Sequence, residues 1–237
     1  MLFFYIRHGD PIYDPDSLTP LGKRQAEALG RRLSRYGIDE VYASTAKRAQ
    51  DTAKPTCEML KKDIKELDWC NEKYAWEEFS VTEDSGDKNW SFYSQKFRRL
   101  ACSKSVKELG TDWYKAPEFS GENFENGVKR INREADVFFK DLGYAHDREN
   151  GLYIEEKENN KRIALFAHQG FGIAFLSSIL DIPYNEFAAH FDLWLSTMTA
   201  IEFKEKEGIV IPKVLTLSND SHTYSDGLPT NFYEHNI

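Results

Sequence analysis

The sequence predicts an α/β fold: a three-layer α/β/α sandwich on a mostly parallel sheet, with a helical, aromatic-rich insertion acting as a cap. Three observations carry that expectation. The runs Leu2 to Ile6 and Ile163 to Ala167 are apolar throughout, as strands buried on both faces of a parallel sheet must be. Segments of helical period follow the strands, so strand and helix alternate. The alternation stops between about residues 68 and 120, where Trp69, Trp76, Trp90, Phe92, Tyr93, Trp113, Tyr114 and Phe119 gather.

In chain order, Leu2 to Ile6 is the first strand. A loop follows, and a helix begins near Thr19, which can cap it. Pro20 suits its first position, Ala26, Leu29 and Leu33 share one side, and Gly37 ends it. Glu40 to Ala43 reads as the second strand. Ala46 to Leu60 reads as a helical segment interrupted or restarted near Pro55. Ile64 to Leu67 supplies a third strand. Residues 68–120 then form an inserted segment within one domain of residues 1–237. The segment is either a small helical satellite with its own aromatic core or a cap over a functional crevice.

Glu122 to Leu142 is the clearest helix, with Phe124, Val128, Ile131, Ala135, Phe138 and Leu142 stepping along one face and Gly143 closing it. Asp147 to Arg162 is highly charged and reads as a solvated loop or hairpin. Ile163 to Ala167 is a strand, followed by a helix around Phe171 to Leu180. Thr199 to Phe203 and Ile209 to Leu217 are expected to be two strands joined by a tight turn at Glu207-Gly208. There are no internal repeats and no low-complexity linkers.

Composition narrows the function. The net charge of -8 argues against a general nucleic-acid binder, and a small anionic substrate needs a local positive pocket set into an acidic surface. The cysteines Cys57, Cys70 and Cys102 are odd in number and form no CxxC pair, which fits reduced thiols in a cytoplasm. The apolar N-terminus is too short for a signal peptide or a membrane span, so no membrane partner is expected. No HxH, HExxH or Gly-rich nucleotide loop occurs, so neither a metal nor another cofactor is expected. His146, His190, His222 and His235 read as surface or structural residues. His222-Thr223-Tyr224 lies in a polar tail that could fold back to the crevice.

Two places in the chain look alike. Leu2 to Ile6 runs into Arg7-His8-Gly9, and Ile163 to Ala167 runs into His168-Gln169-Gly170. Ligands of open parallel sheets bind outside the carboxyl ends of the strands, so neighbouring strands would put both histidines in one crevice. Either histidine alone is more simply a strand-end residue bonded to a carbonyl; the matching contexts argue otherwise. Arg48, in Ser44-Thr45-Ala46-Lys47-Arg48-Ala49, also starts from a strand end. Arg7 and Arg48 with the two histidines would make a phosphate clamp, since guanidinium groups match phosphate oxygens bidentately.

Arg7-His8-Gly9, then Ser44 to Ala53 with Arg48, Gln50 and Thr52, then His168 after an apolar strand, together resemble the histidine phosphatase superfamily, the phosphoglycerate mutase-like group. Leu18-Thr19-Pro20-Leu21-Gly22 with Gln25-Ala26 resembles the segment that usually follows the Arg-His-Gly loop. The resemblance implies a metal-independent phosphatase that hydrolyses phosphomonoesters. His8 would become phosphohistidine, while Arg7, Arg48 and His168 hold the phosphoryl oxygens. An imidazole with an ordinary pKa of about 6.5 is partly neutral near pH 7 and can attack without a strong base. The family's proton donor usually follows the third strand. Glu72 is the choice there, with Glu77 and Glu78 as rivals beside Trp76. Many mutase-like members carry Asn where this chain has Asp14, and Asp14 is left out of the site. Asp10-Pro11-Ile12-Tyr13 lacks both the Arg-x-Pro extension of the acid-phosphatase branch and the longer run of true mutases, which favours the broad phosphatase branch. The competing functions are mutase-type phosphoryl transfer and a catalytically silent phosphate- or partner-binding module. The implied partner is a small phosphorylated substrate. Oligomeric state stays open, with a homodimer as one option.

Overall fold

The computed structural model describes residues 1–230. The first strand, β1 (Leu2–Arg7), is followed by a short hairpin, β2 (Pro11–Tyr13) and β3 (Asp16–Leu18). Helix α1 (Pro20–Tyr36) starts where expected: the Thr19 hydroxyl accepts the Gly22 N–H, Pro20 takes the first position, and Gly37 ends the helix in the left-handed region. Next come β4 (Glu40–Ser44), α2 (Lys47–Leu60) and β5 (Ile64–Leu67). The expected interruption at Pro55 does not occur, and α2 runs through it. The lost backbone bond is tolerated because Ala49, Thr52, Ala53, Thr56 and Cys57 bury one continuous face of the helix.

The stretch read as an insertion holds α3 (Glu72–Phe79), the hairpin β6 (Ser80–Thr82) and β7 (Lys88–Trp90), and the short helices α4 (Gln95–Ala101) and α5 (Lys104–Lys107). Two 3-10 turns lead from there to α6 (Phe124–Asp141). The remainder is β8 (Tyr144–Asp147), β9 (Leu152–Glu155), β10 (Arg162–Ala167), α7 (Gln169–Ile179), α8 (Tyr184–His190), β11 (Met198–Glu202), β12 (Glu205–Lys206), β13 (Ile209–Val210), β14 (Lys213–Asn219) and α9 (Ser221–Ser225).

Six strands form the main sheet in the order β14-β11-β1-β10-β4-β5. From β1 to β5 the pairs are parallel, and β11 and β14 run antiparallel at one side. Alternate side chains of β1 serve opposite layers. Phe4 and Ile6 pack with Leu29 and Leu33 of α1 and Ala53 of α2. Phe3 and Tyr5 pack with Phe139 of α6 and Phe175 of α7. Helices therefore cover both faces, as a sheet of apolar strands requires.

The C-terminal segment departs from the expected hairpin. The turn at Glu207-Gly208, where both residues have positive φ, joins the short β12 and β13 instead. Ile209 to Leu217 is split before Pro212, which has no N–H to give a ladder. Its first part pairs with β9 in a second sheet, β12-β13-β9-β8, and its second part pairs with β11. The charged stretch after Asp147 supplies the turn and second strand of the β8–β9 hairpin and then a loop over residues 156–161.

Within residues 68–120 and next to them, Phe97, Trp113, Phe119, Phe124 and Tyr184 form an aromatic centre, with the Trp113 and Phe124 rings 4.9 Å apart. Trp76 and Trp90 stay outside that centre and meet edge to face at 4.9 Å. Among the described residues, no helix is long and apolar enough to cross a membrane.

Candidate active site

The parallel pairing of β1 with β10 places Arg7 opposite Ala167, so His8 and His168 leave adjacent strands at the same level. Their rings lie 5.2 Å apart, and both residues are buried. Gly9 lets the chain turn against α1: a Cβ there would sit 2.8 Å from the Gly22 carbonyl oxygen. The Gly9 N–H donates to the Thr52 hydroxyl, which in turn donates to the Arg48 carbonyl. The turn after β1 is thereby tied to α2.

His8 Nδ1 lies 2.8 Å from the Gly9 carbonyl, which can only accept, so Nδ1 carries the proton. Nε2 then bears a lone pair and accepts from Arg48 Nε at 3.3 Å. Burial, and then the Arg7 and Arg48 charges, push the His8 pKa well below the ordinary value, against the Gly9 bond. Burial, then His8, Arg48 and Arg7, do the same to His168. Its Nε2 meets the Ser44 hydroxyl at 2.8 Å, and its main chain is held by the Tyr5 hydroxyl. Arg7 Nη1 donates to the Leu193 carbonyl at 2.6 Å. Two buried nitrogens here, Arg7 Nε and His168 Nδ1, have no hydrogen-bond partner.

Glu72 is the first residue of α3, which the Asn71 side chain caps by accepting the Lys73 N–H. The Glu72 carboxylate faces the start of α7 and accepts the N–H groups of Gly170 (2.9 Å) and Phe171 (3.0 Å). Those bonds and the nearby arginines favour the ionised form, but burial outweighs them and raises the pKa. Glu78 is excluded as a free acid, because Arg130 clamps both its oxygens at 2.6 Å. Glu77 is exposed.

Arg7, His8, Arg48 and Glu72 line one cleft of about 400 Å³ together with Tyr13, Asn71, Lys73, Trp76, Trp90 and Gln169. Trp90 lies so close over the start of α7 that a Cβ at Gly170 would come within 2.4 Å of its ring. Tyr93, from the same stretch as Trp90, exchanges hydrogen bonds with Gln169, whose amide reaches Asp192 at 2.5 Å.

The structure thus brings together His8, Arg7, Arg48, His168 and Glu72, and leaves Glu77 and Glu78 apart. Asp14 is exposed and does not line the cleft. Sequence reasoning missed Ser44, Gln169, Tyr13 and Asp16, the last of which pairs with Arg48 at 2.9 Å. Ser44 and Gln169 had a readable signal, since each stands at the carboxyl end of a strand. His222 is buried against Ser196 and Arg32 and does not line the cleft, and burial pushes its pKa down to about 4. His190 is exposed, and His235 lies outside the described residues. His146 is buried between Asp136 (3.0 Å) and Asp181 (2.8 Å). Among the described residues, no three His, Cys, Asp or Glu side chains are grouped to hold a metal ion.

The fold is shared with solved phosphatase structures. A mycobacterial glucosyl-3-phosphoglycerate phosphatase in complex with inorganic phosphate matches with a TM-score of 0.59 at 18% identity, over 93% of this chain and 98% of that one. A phosphoserine phosphatase from Entamoeba histolytica, in complex with 3-phosphoglyceric acid, matches with a TM-score of 0.58 at 15% identity, again over 93% and 98%. At such identities the likeness is one of fold. No curated protein matches the sequence. The model of the histidine phosphatase superfamily (branch 1) matches residues 4–212, a span that contains Arg7, His8, Arg48, Glu72 and His168. The chain belongs to the histidine phosphatase superfamily, branch 1.

Proposed function

We propose that the protein is a phosphatase that hydrolyses phosphomonoesters by way of a phosphohistidine on His8. The observation that carries this reading is the state of His8: a buried imidazole kept neutral by burial and two guanidinium groups, with the Nε2 lone pair turned to Arg48. In the first step the lone pair attacks phosphorus, the P–N bond forms, and the bond to the leaving oxygen breaks. The Glu72 carboxyl gives its proton to that oxygen. In the second step the Glu72 carboxylate takes a proton from water, whose oxygen attacks phosphorus and releases His8. Arg7, Arg48 and His168 hold the equatorial oxygens, and phosphoryl oxygens supply the acceptors that Arg7 Nε and His168 Nδ1 lack. The raised Glu72 pKa keeps a share of the acid protonated, as its first task requires. Tyr13, Trp76 and Trp90 give the cleft aromatic walls suited to an apolar or ring-bearing leaving group.

The test is a screen of phosphorylated metabolites and an aryl phosphate, read as released phosphate, alongside acid quenching with labelled substrate. Expected are free phosphate as product, an acid-labile and base-stable label on His8, and a rate unchanged by EDTA. An isomerised phosphoester in place of phosphate would assign the chain to mutase chemistry. Activity lost to EDTA and restored by one divalent ion would overturn the mechanism.

A further inference from the structure

Arg48 is not free to address a phosphoryl group alone. Its Nη1 donates to Asp16 Oδ1 at 2.9 Å, and Asp16 Oδ2 accepts the backbone N–H of Lys47, the first residue of α2, at 2.8 Å. Asp16 thus uses both oxygens to fasten β3 to α2. Tyr13, on the other strand of the hairpin, has its ring 5.4 Å from the guanidinium carbon. Arg48 Nε meanwhile sits 3.3 Å from His8 Nε2. An attacking nitrogen needs phosphorus at about 3–3.5 Å along its lone pair. The guanidinium therefore stands where phosphorus has to come, and it must turn about its Asp16 contact to let a phosphoryl group in.

Resting on the phosphoryl-transfer reading above, we propose that Asp16 is a positioning residue that acts through Arg48 and sets how tightly the site holds a phosphoryl group. The carboxylate is a built-in competitor. It fixes the guanidinium beside His8, and it offsets part of the positive charge that a phosphoryl dianion would otherwise meet. Bound phosphate, the product, is held less firmly as a result, so the site clears between turnovers. Asp16 does not line the cleft, and Arg48 is its route to the phosphoryl group.

The sign of one substitution tests this. Asp16→Asn keeps the shape and an acceptor oxygen and removes the charge. Inorganic phosphate, titrated calorimetrically into the full chain, should then bind roughly three- to tenfold more tightly, the range expected for loss of one partly exposed charge next to the binding group. KM for a phosphomonoester should fall in step. A merely structural role, anchoring Arg48 and capping α2, predicts the opposite: looser phosphate binding with a lower melting temperature. Asp16→Ser, whose hydroxyl can still accept the Lys47 N–H, should tighten binding in the same direction and guards against a folding defect in the first variant. Asp16→Glu, which restores the charge, should return the Kd toward that of the parent chain. Unchanged or weaker phosphate binding in a folded Asp16→Asn protein overturns the proposal. If the parent chain neither binds phosphate nor releases it from any ester, the phosphoryl-site reading fails first and this inference falls with it.

Discussion

Two regions of this molecule bury histidine side chains and do opposite things with them. In the cleft, His8 and His168 face Arg7 and Arg48, and burial together with those cations holds both rings neutral. At the other site, His146 lies between the carboxylates of Asp136 and Asp181. Burial opposes its charge, but the two carboxylates outweigh burial and raise its pKa. Arg148 closes that network by pairing with Asp136 at 2.7 Å. The neighbours decide the charge. A ring kept neutral among cations can offer a lone pair to an electrophile, whereas a ring held between carboxylates has both nitrogens engaged and serves as a cross-link between α6, β8 and the end of α7.

The largest test removes the proposed nucleophile. His8→Ala should cost on the order of 10⁴-fold or more in kcat, because both displacements pass through Nε2. Circular dichroism should show an intact fold. Residual turnover above a few per cent, a loss of only about thirtyfold, would falsify the assignment.

Glu72→Gln comes next. General acid catalysis contributes about a hundred- to ten-thousand-fold. A loss of that size should appear with alkyl phosphates, and a much smaller one with an activated aryl phosphate that leaves without a proton. The pH profile sharpens the point. His8 is active when neutral, and its depressed pKa keeps it so well into acid. Glu72 is active as the acid, and its raised pKa extends that form upward. The kcat/KM optimum should therefore lie on the acid side of neutrality, and the alkaline limb should vanish in Glu72→Gln. Equal losses for both leaving groups, or a leaving-group effect in Glu77→Gln instead, would move the donor elsewhere.

The smallest expected effect concerns the cross-link. His146→Leu should leave kcat within about twofold and lower stability by about 1–3 kcal/mol, less than a fully buried pair because both aspartates are partly exposed. Its folded-state pKa is raised, so its contribution is complete below the ordinary value of about 6.5 and is lost as pH rises through the folded pKa. For His8 and His168 the sign is reversed: their depressed pKa values cost stability as pH falls below that ordinary value. Urea unfolding across pH should show the gap between parent and His146→Leu closing on the alkaline side. A gap that widens there contradicts the assignment of a charged His146.

The two histidine sites also differ in how much of each could be read from the sequence. His8 and His168 stand at the ends of apolar runs, where local pattern and the geometry of parallel sheets reach the same place. Glu72 is chosen through the family resemblance, which implies an acid soon after the third strand. His146 reads only as surface or structural, because Asp136 and Asp181 reach it from elements far along the chain. Asp16 was passed over for the same reason: its partner Arg48 is brought near by a hairpin of three-residue strands too short to carry a pattern. The strand split at Pro212 was in the sequence to be seen, since proline interrupts a ladder wherever it falls.

The contact between Trp90 and Gly170 has a consequence for how such a chain can change. No side chain fits at position 170 while Trp90 keeps its place, because even a Cβ would collide with the indole. The same residue lends its N–H to Glu72. A descendant that exchanges the stretch carrying both Trp90 and Glu72 loses the clash at position 170 and the carboxylate bound there in the same step. The shape of the mouth and the placement of the carboxyl group therefore change together.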